Sequence, residues 1–248
     1  ATSTWTAMLA WTITLLAWSG PAQGAGMSRS IYGGECPAAP ATLRARLGMR
    51  LPEAPAHATD EELEQWTRRW IDVVVTGKNL CPFSARVRGE PSRVVVERHA
   101  PGTPELSRTL RDELMALDAS DPDLPATTFV LLAHPELVSF ERYMESVAPM
   151  AEQLSQELTR GAIQIVLFHP HASWGDGDES LRDASDFSTR SPTPMLHLLR
   201  DRDVVEAEAA WVQQHKDDDE VPDIQQANAA WLRGIGFDEA ERLWRSCW

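Results

Sequence analysis

The chain is poor in cysteine and in positive charge. Three cysteines in 248 residues, Cys36, Cys81 and Cys247, are too few and too scattered for a disulfide framework, and no Cys-x-x-Cys pair occurs. That usage fits a reducing compartment. Lys and Arg number 23 against 37 Asp and Glu, for a formal net charge of -14. A surface of that sign does not displace counterions from nucleic acid or adhere to an anionic bilayer, so neither is expected as a partner. No apolar run reaches the roughly 20 residues that a membrane span needs. Walker, GxGxxG and GxSxG signatures are all missing, so the usual phosphate loops and nucleophile elbows are excluded.

What remains is an ordinary globular balance, with 43% hydrophobic and 24% charged residues. The length suits one large domain or two small ones. Residues 1–58 read as an irregular leader punctuated by Gly33-Gly34, Pro37, Pro40, Pro52 and Pro55, with room for one short helix at 41–49. Within it, residues 7–18 are apolar and are followed by small residues up to Ala25. Two readings stand: a secretory signal, which would make the protein exported, or an extension upstream of Met27 on a cytoplasmic protein. The run lacks a positive flank and is broken by threonines, which favours the cytoplasmic reading.

Residues 59–248 read as a single α/β domain. Thr59-Asp60-Glu61-Glu62 forms a capping box, and Leu63, Trp66, Trp70, Val73 and Val74 follow at helical spacing up to Gly77. Beyond Arg93 the apolar pattern gives strand, helix 104–117, strand 127–133, helix 139–160 and strand 163–168. Continuous apolar strands separated by helices imply a small, mostly parallel sheet of about three strands (β-α-β-α-β), with helical additions at both ends. Ser191 and Pro192 look like the start of a short helix over 195–200, and three further helices follow it.

In that arrangement His99, His134 and His169 each end a strand, at the carboxyl edge where open α/β sheets bind ligands. His169 and His197 are candidate acid–base groups, because imidazole titrates near neutral pH. Cys81, in Asn79-Leu80-Cys81-Pro82-Phe83, is a candidate nucleophile if Lys78, Arg86 or Arg88 lowers its pKa, and otherwise a small buried hydrophobe. Arg190, Ser191, Arg200 and Asn79 are candidate substrate contacts. Arg190 at a helix start would hold a carboxylate or phosphate, or else pair with Asp183 or Asp186 and tie the loop down. A metal alternative uses His134, His169 and His197. The loop Gly175-Asp176-Gly177-Asp178-Glu179 lacks EF-hand spacing and reads as a solvated lid.

The segments Asn79-Leu80-Cys81-Pro82-Phe83, His134-Pro135, Phe168-His169-Pro170 and the run from Arg190 to Arg200 together resemble a bacterial family of unknown function, DUF1415, over about residues 60–236. Its usual forms resemble NLCPF, HP, FHP and NRSPYPMLHLLRE. Here Ser188-Thr189 stands in place of Thr-Asn, Thr193 in place of Tyr and Asp201 in place of Glu. The resemblance implies no reaction and no cofactor. The residues themselves lead to an expectation of a small-molecule enzyme acting on an anionic substrate at a His/Arg/Cys site on the carboxyl edge of the sheet. Its rivals are a non-catalytic anion-binding or interaction module and a purely structural stitching of the long loop.

Overall fold

The computed structural model describes residues 55–86, 92–173, 183–216 and 223–248. Residues 1–54 of the leader, Arg88 and the loop at 175–179 lie outside the described residues, as does the side chain of Arg86. The chain divides into Ala1–Glu53 and Ala54–Trp248, and all described residues belong to the second unit.

Helix α1 (Asp60–Trp70) opens on the expected capping box. Glu62 N donates to Thr59 Oγ1 over 3.2 Å, and Thr59 N donates to Glu62 Oε2 over 2.8 Å. The helix widens into a π-helical turn, Ile71–Thr76. Asn79 then takes φ 56°, a left-handed conformation that asparagine tolerates. A short helix α2 (Pro82–Arg86) precedes β1 (Arg93–Glu97), α3 (Pro104–Asp118), β2 (Thr127–Leu132), α4 (Phe140–Thr159) and β3 (Ile163–Phe168). Short 3-10 turns, Pro135–Val138 and Ala184–Ser188, lie in the connections. Strand β4 (Met195–Arg200) and helices α5 (Asp201–Gln214), α6 (Ile224–Ile235) and α7 (Phe237–Arg245) complete the chain.

Two expectations are corrected. Residues 195–200 form a strand, not a helix, and the sheet has four strands of mixed direction in the order β1-β2-β4-β3. Strands β1 and β2 pair in parallel, as expected, but β4 runs antiparallel between β2 and β3. Met-Leu-His-Leu-Leu-Arg is leucine-rich, and leucine favours helix locally. All six residues are buried, however, and a strand covered on both faces also reads as a continuous apolar run. Such a run does not distinguish the two periods, and tertiary pairing on both edges decides. Because the 195–200 segment is not a helix, Ser191 caps no helix and the helix start expected next to Arg190 at 195 does not exist.

The sheet has two unlike faces. Helices α3 and α4 cover one of them with Leu106, Leu110, Leu114, Tyr143 and Val147, against Val130, Leu132, Ile163, Ile165, Leu196 and Leu198. The other face carries Phe129, His197 and Val166, which occupy one register row across β2, β4 and β3. Phe83 of α2 and Val204 and Ala207 of α5 cover part of it, with Leu199. Val94, Val96, Val166 and Phe168 on this side remain half-buried. Among the described residues no helix is long and apolar enough to cross a membrane.

Leu196 is fully buried on the helix-covered face. Leu196→Ala is therefore expected to cost about 2–5 kcal/mol in urea unfolding, with unchanged m. The same change at Leu124, which is 52% exposed, should stay within about 0.5 kcal/mol.

Candidate functional site

The carboxyl edge is densely stitched. His169 is fully buried. Its Nε2–H donates to Leu137 O over 2.9 Å, and its Nδ1 accepts from His171 N over 3.0 Å. Both ring nitrogens are thus committed to backbone, and burial pushes the imidazole pKa down to about 3. His134, half-buried, accepts from Glu136 N through Nδ1 over 3.3 Å and starts the 3-10 turn after β2. His99 leans on the buried Glu97, with Nδ1 2.6 Å from Oε1.

Arg190 also lies at this edge, since β4 begins beside the ends of β2 and β3. It is 4% exposed. Its Nε donates to Ala172 O over 3.0 Å, and Nη2 reaches Asp186 Oδ2 at 3.5 Å. The guanidinium lies 4.6 Å from the Phe187 ring centre and 5.7 Å from that of Phe237. Of the two sequence readings of Arg190, this geometry matches the tie to Asp186. Nη1 has no partner among the described residues. Ser191 Oγ donates to Thr193 O over 2.6 Å, inside the same buried turn.

Arg200 belongs to the opposite edge, where it pairs in register with Ile163 at the start of β3. Its guanidinium bonds Asp203 at 2.6 Å, Ser120 Oγ at 3.1 Å and Asp121 O at 2.8 Å, and also the carbonyl of Leu124. It fastens the turn after α3 to the sheet. Asn79 is exposed at its left-handed turn, and the neighbouring Leu80 O accepts from Asn228 Nδ2 of α6 over 2.7 Å.

His197 and Cys81 share the half-covered face of the sheet. His197 is 8% exposed. Its ring stacks on Phe129, with centroids 4.1 Å apart and planes within 13°, and Phe168 and Phe83 tilt toward it at 6.3 and 6.4 Å. Thr127 Oγ1 lies 2.6 Å from Nε2 and 2.9 Å from Leu198 O. A carbonyl only accepts, so the single hydroxyl hydrogen of Thr127 goes to Leu198 O and the hydrogen between Thr127 and His197 sits on Nε2. Nδ1 is left as a bare acceptor, with no partner among the described residues. Burial alone pushes the His197 pKa down to about 3. Cys81 is half-buried and packs with Phe83 and Leu199. Burial pushes its thiol pKa up, against the opposing pull of the Ser84 and Phe83 amides on the sulfur.

The structure therefore brings Cys81 and His197 to one face and leaves His169, Arg190 and Ser191 at one edge and Arg200 at the other. The metal alternative is not supported by the geometry. His134, His169 and His197 spend ring nitrogens on Glu136 N, on Leu137 O and His171 N, and on Thr127 respectively. No group of three or more His, Cys, Asp or Glu among the described residues is placed to hold a metal. Sequence reasoning missed Thr127 and Phe129. Both are partners of His197 only through the β2–β4 register, and the alternation of Met195, His197 and Leu199 was the one signal that pointed there.

Together these features define an α/β domain with a four-stranded mixed sheet and a polar centre in one aromatic-lined face. The chain belongs to the DUF1415 family: the family model described as "Protein of unknown function (DUF1415)" matches residues 62–242. No curated protein and no solved structure matches it.

The two depressed imidazoles give a signed pH dependence. Their ordinary pKa of 6.5 applies in the unfolded chain, against about 3 in the fold. Between those values the unfolded chain binds more protons, so stability should fall as pH drops from 6.5 toward 3, by at most about 2.7 kcal/mol per pH unit for the pair. Urea midpoints across that range test the slope, and the ring proton signals of His169 and His197 should stay unshifted between about pH 8 and pH 5.

Proposed function

We propose that this domain binds a small molecule on the half-covered face of its sheet, with His197 as the hydrogen-bond acceptor that orients it and Cys81 as the thiol beside it. One observation carries the reading. A nine-tenths buried imidazole has one nitrogen fixed by Thr127 and leaves the other without a partner among the described residues. Nδ1 is not among the buried polar atoms that lack a partner, so it is reachable from outside the fold, and a ligand donor can pair with it there. The flanking rings of Phe83, Phe129 and Phe168 add the apolar walls typical of small-molecule sites.

The chemistry of the site follows from its electrostatics. Protonating His197 at neutral pH works against a pKa of about 3, a penalty of about 5 kcal/mol. Orientation and polarisation of a substrate X–H are therefore its work, more than proton storage. The anionic substrate expected from the sequence is less favoured on this face. Arg190 and Arg200 sit at the two edges, each beside a buried carboxylate of its own.

A second reading, turnover through Cys81, is favoured by the Phe83 and Ser84 amides directed at its sulfur. They would stabilise a thiolate once formed.

A fragment screen by thermal shift, repeated on His197→Phe, tests the binding reading. Phenylalanine keeps the ring against Phe129 and removes Nδ1. Fragments that stabilise the wild type should bind the variant about tenfold more weakly or worse, and uncharged fragments should outnumber anions among them. Undiminished binding to His197→Phe would defeat the reading. Monobromobimane should label Cys81 ahead of the buried Cys247, and bound fragments should slow it.

A further inference from the structure

Thr127 is 3% exposed and touches the outside of the molecule nowhere that matters, yet it controls what His197 offers. Its one hydroxyl hydrogen is held by Leu198 O at 2.9 Å, and its lone pair faces His197 Nε2 at 2.6 Å. That lone pair forces the imidazole proton onto Nε2 and strips it from Nδ1. Resting on the site proposed above, we infer that Thr127 sets the polarity of that site, so that His197 takes an uncharged, flat ring presenting an N–H and rejects the matching ring that presents a lone pair.

Three observations converge on this class of ligand. The free atom is an acceptor, so the ligand supplies the donor. The groups around it are rings, with Phe129 stacked on His197 and Phe168 in turn meeting Trp70 edge-on at 5.2 Å. Among the described residues, no charged side chain has a hydrogen bond or ion pair with His197 or Cys81, so a charged ligand would lose hydration there without compensation. Two acceptors facing each other would leave both unpaired and partly desolvated, which is a stronger discrimination than shape alone provides. Thr127 acts through His197 and is a positioning residue.

Indole, 1-methylindole and quinoline separate the terms: a ring with an N–H donor, the same ring without it, and a ring with a lone pair. Protein-observed NMR titrations of the full chain should show indole shifting the His197 and Phe129 signals and binding at least about tenfold more tightly than the other two. In the free protein, nitrogen shifts of His197 should find the proton on Nε2. Thr127→Ser keeps the hydroxyl and should keep the preference. Thr127→Val keeps the volume, frees the tautomer, and should reduce the preference to about threefold or less. Quinoline binding as tightly as indole, or a proton on Nδ1, overturns the inference while leaving the site itself standing. If none of the three rings moves those signals, both the inference and the site fall. The tautomer measurement decides the matter even where Thr127→Val does not fold.

Discussion

Strand β4 has to be buried on both faces and paired on both edges, and the rest of the domain is arranged to meet that demand. It carries two polar side chains into the interior, Arg200 and His197. A buried guanidinium left unpaired would be ruinous, and Arg200 is met by Asp203, by Ser120 and by two backbone carbonyls. A neutral imidazole is cheaper to bury, and His197 is only half met, by Thr127. The same strand therefore contains one side chain that is fully stitched and one that is not. The second is where a ligand has something to gain.

The segments that give the chain its family likeness divide along the same line. His169 in Phe168-His169-Pro170 and Arg190-Ser191 work as fasteners: His169 holds the connection from β3 to β4 against the turn after β2, and Arg190 and Ser191 tie that connection to itself. Cys81 just before α2, Phe83 within it, Phe168 from the end of β3, and His197 from β4 gather on one face instead. One short motif can do both jobs, because neighbouring strand residues point to opposite sides. Phe168 faces the site, and His169, one residue later, closes the edge.

How much of this was legible depends on where each signal lives. The capping box at Thr59 and Glu62 is local chemistry and marked its helix start from the residues alone, and the structure adds the Thr103 and Ser139 caps at the starts of α3 and α4. The other three strands were readable as apolar runs between helices. Strand β4 was not, because Met-Leu-His-Leu-Leu-Arg satisfies a helix locally and a buried strand globally, and only pairing partners far along the chain choose between them. The site inherited that ambiguity. His197 and Cys81 stood out by residue type, but Thr127, 70 positions from His197, becomes its partner only when β4 is in register. Arg190 stood out as a charge with Asp186 among its offered partners, whereas the partner of Arg200, Asp203, sits in the first turn of α5 and meets it only once β4 runs straight into that helix.

The late position of β4 in the chain has a consequence for synthesis. The strand that sits inside the sheet is the last to leave the ribosome, after β1, β2 and β3. Until it arrives, β2 and β3 have no common neighbour, and each presents an open row of backbone amides and carbonyls along an apolar strand. A nascent chain stalled or cut before Arg200 is thus an aggregation template rather than a smaller stable domain, and the sheet closes in one late, non-local step once β4 slots into the gap.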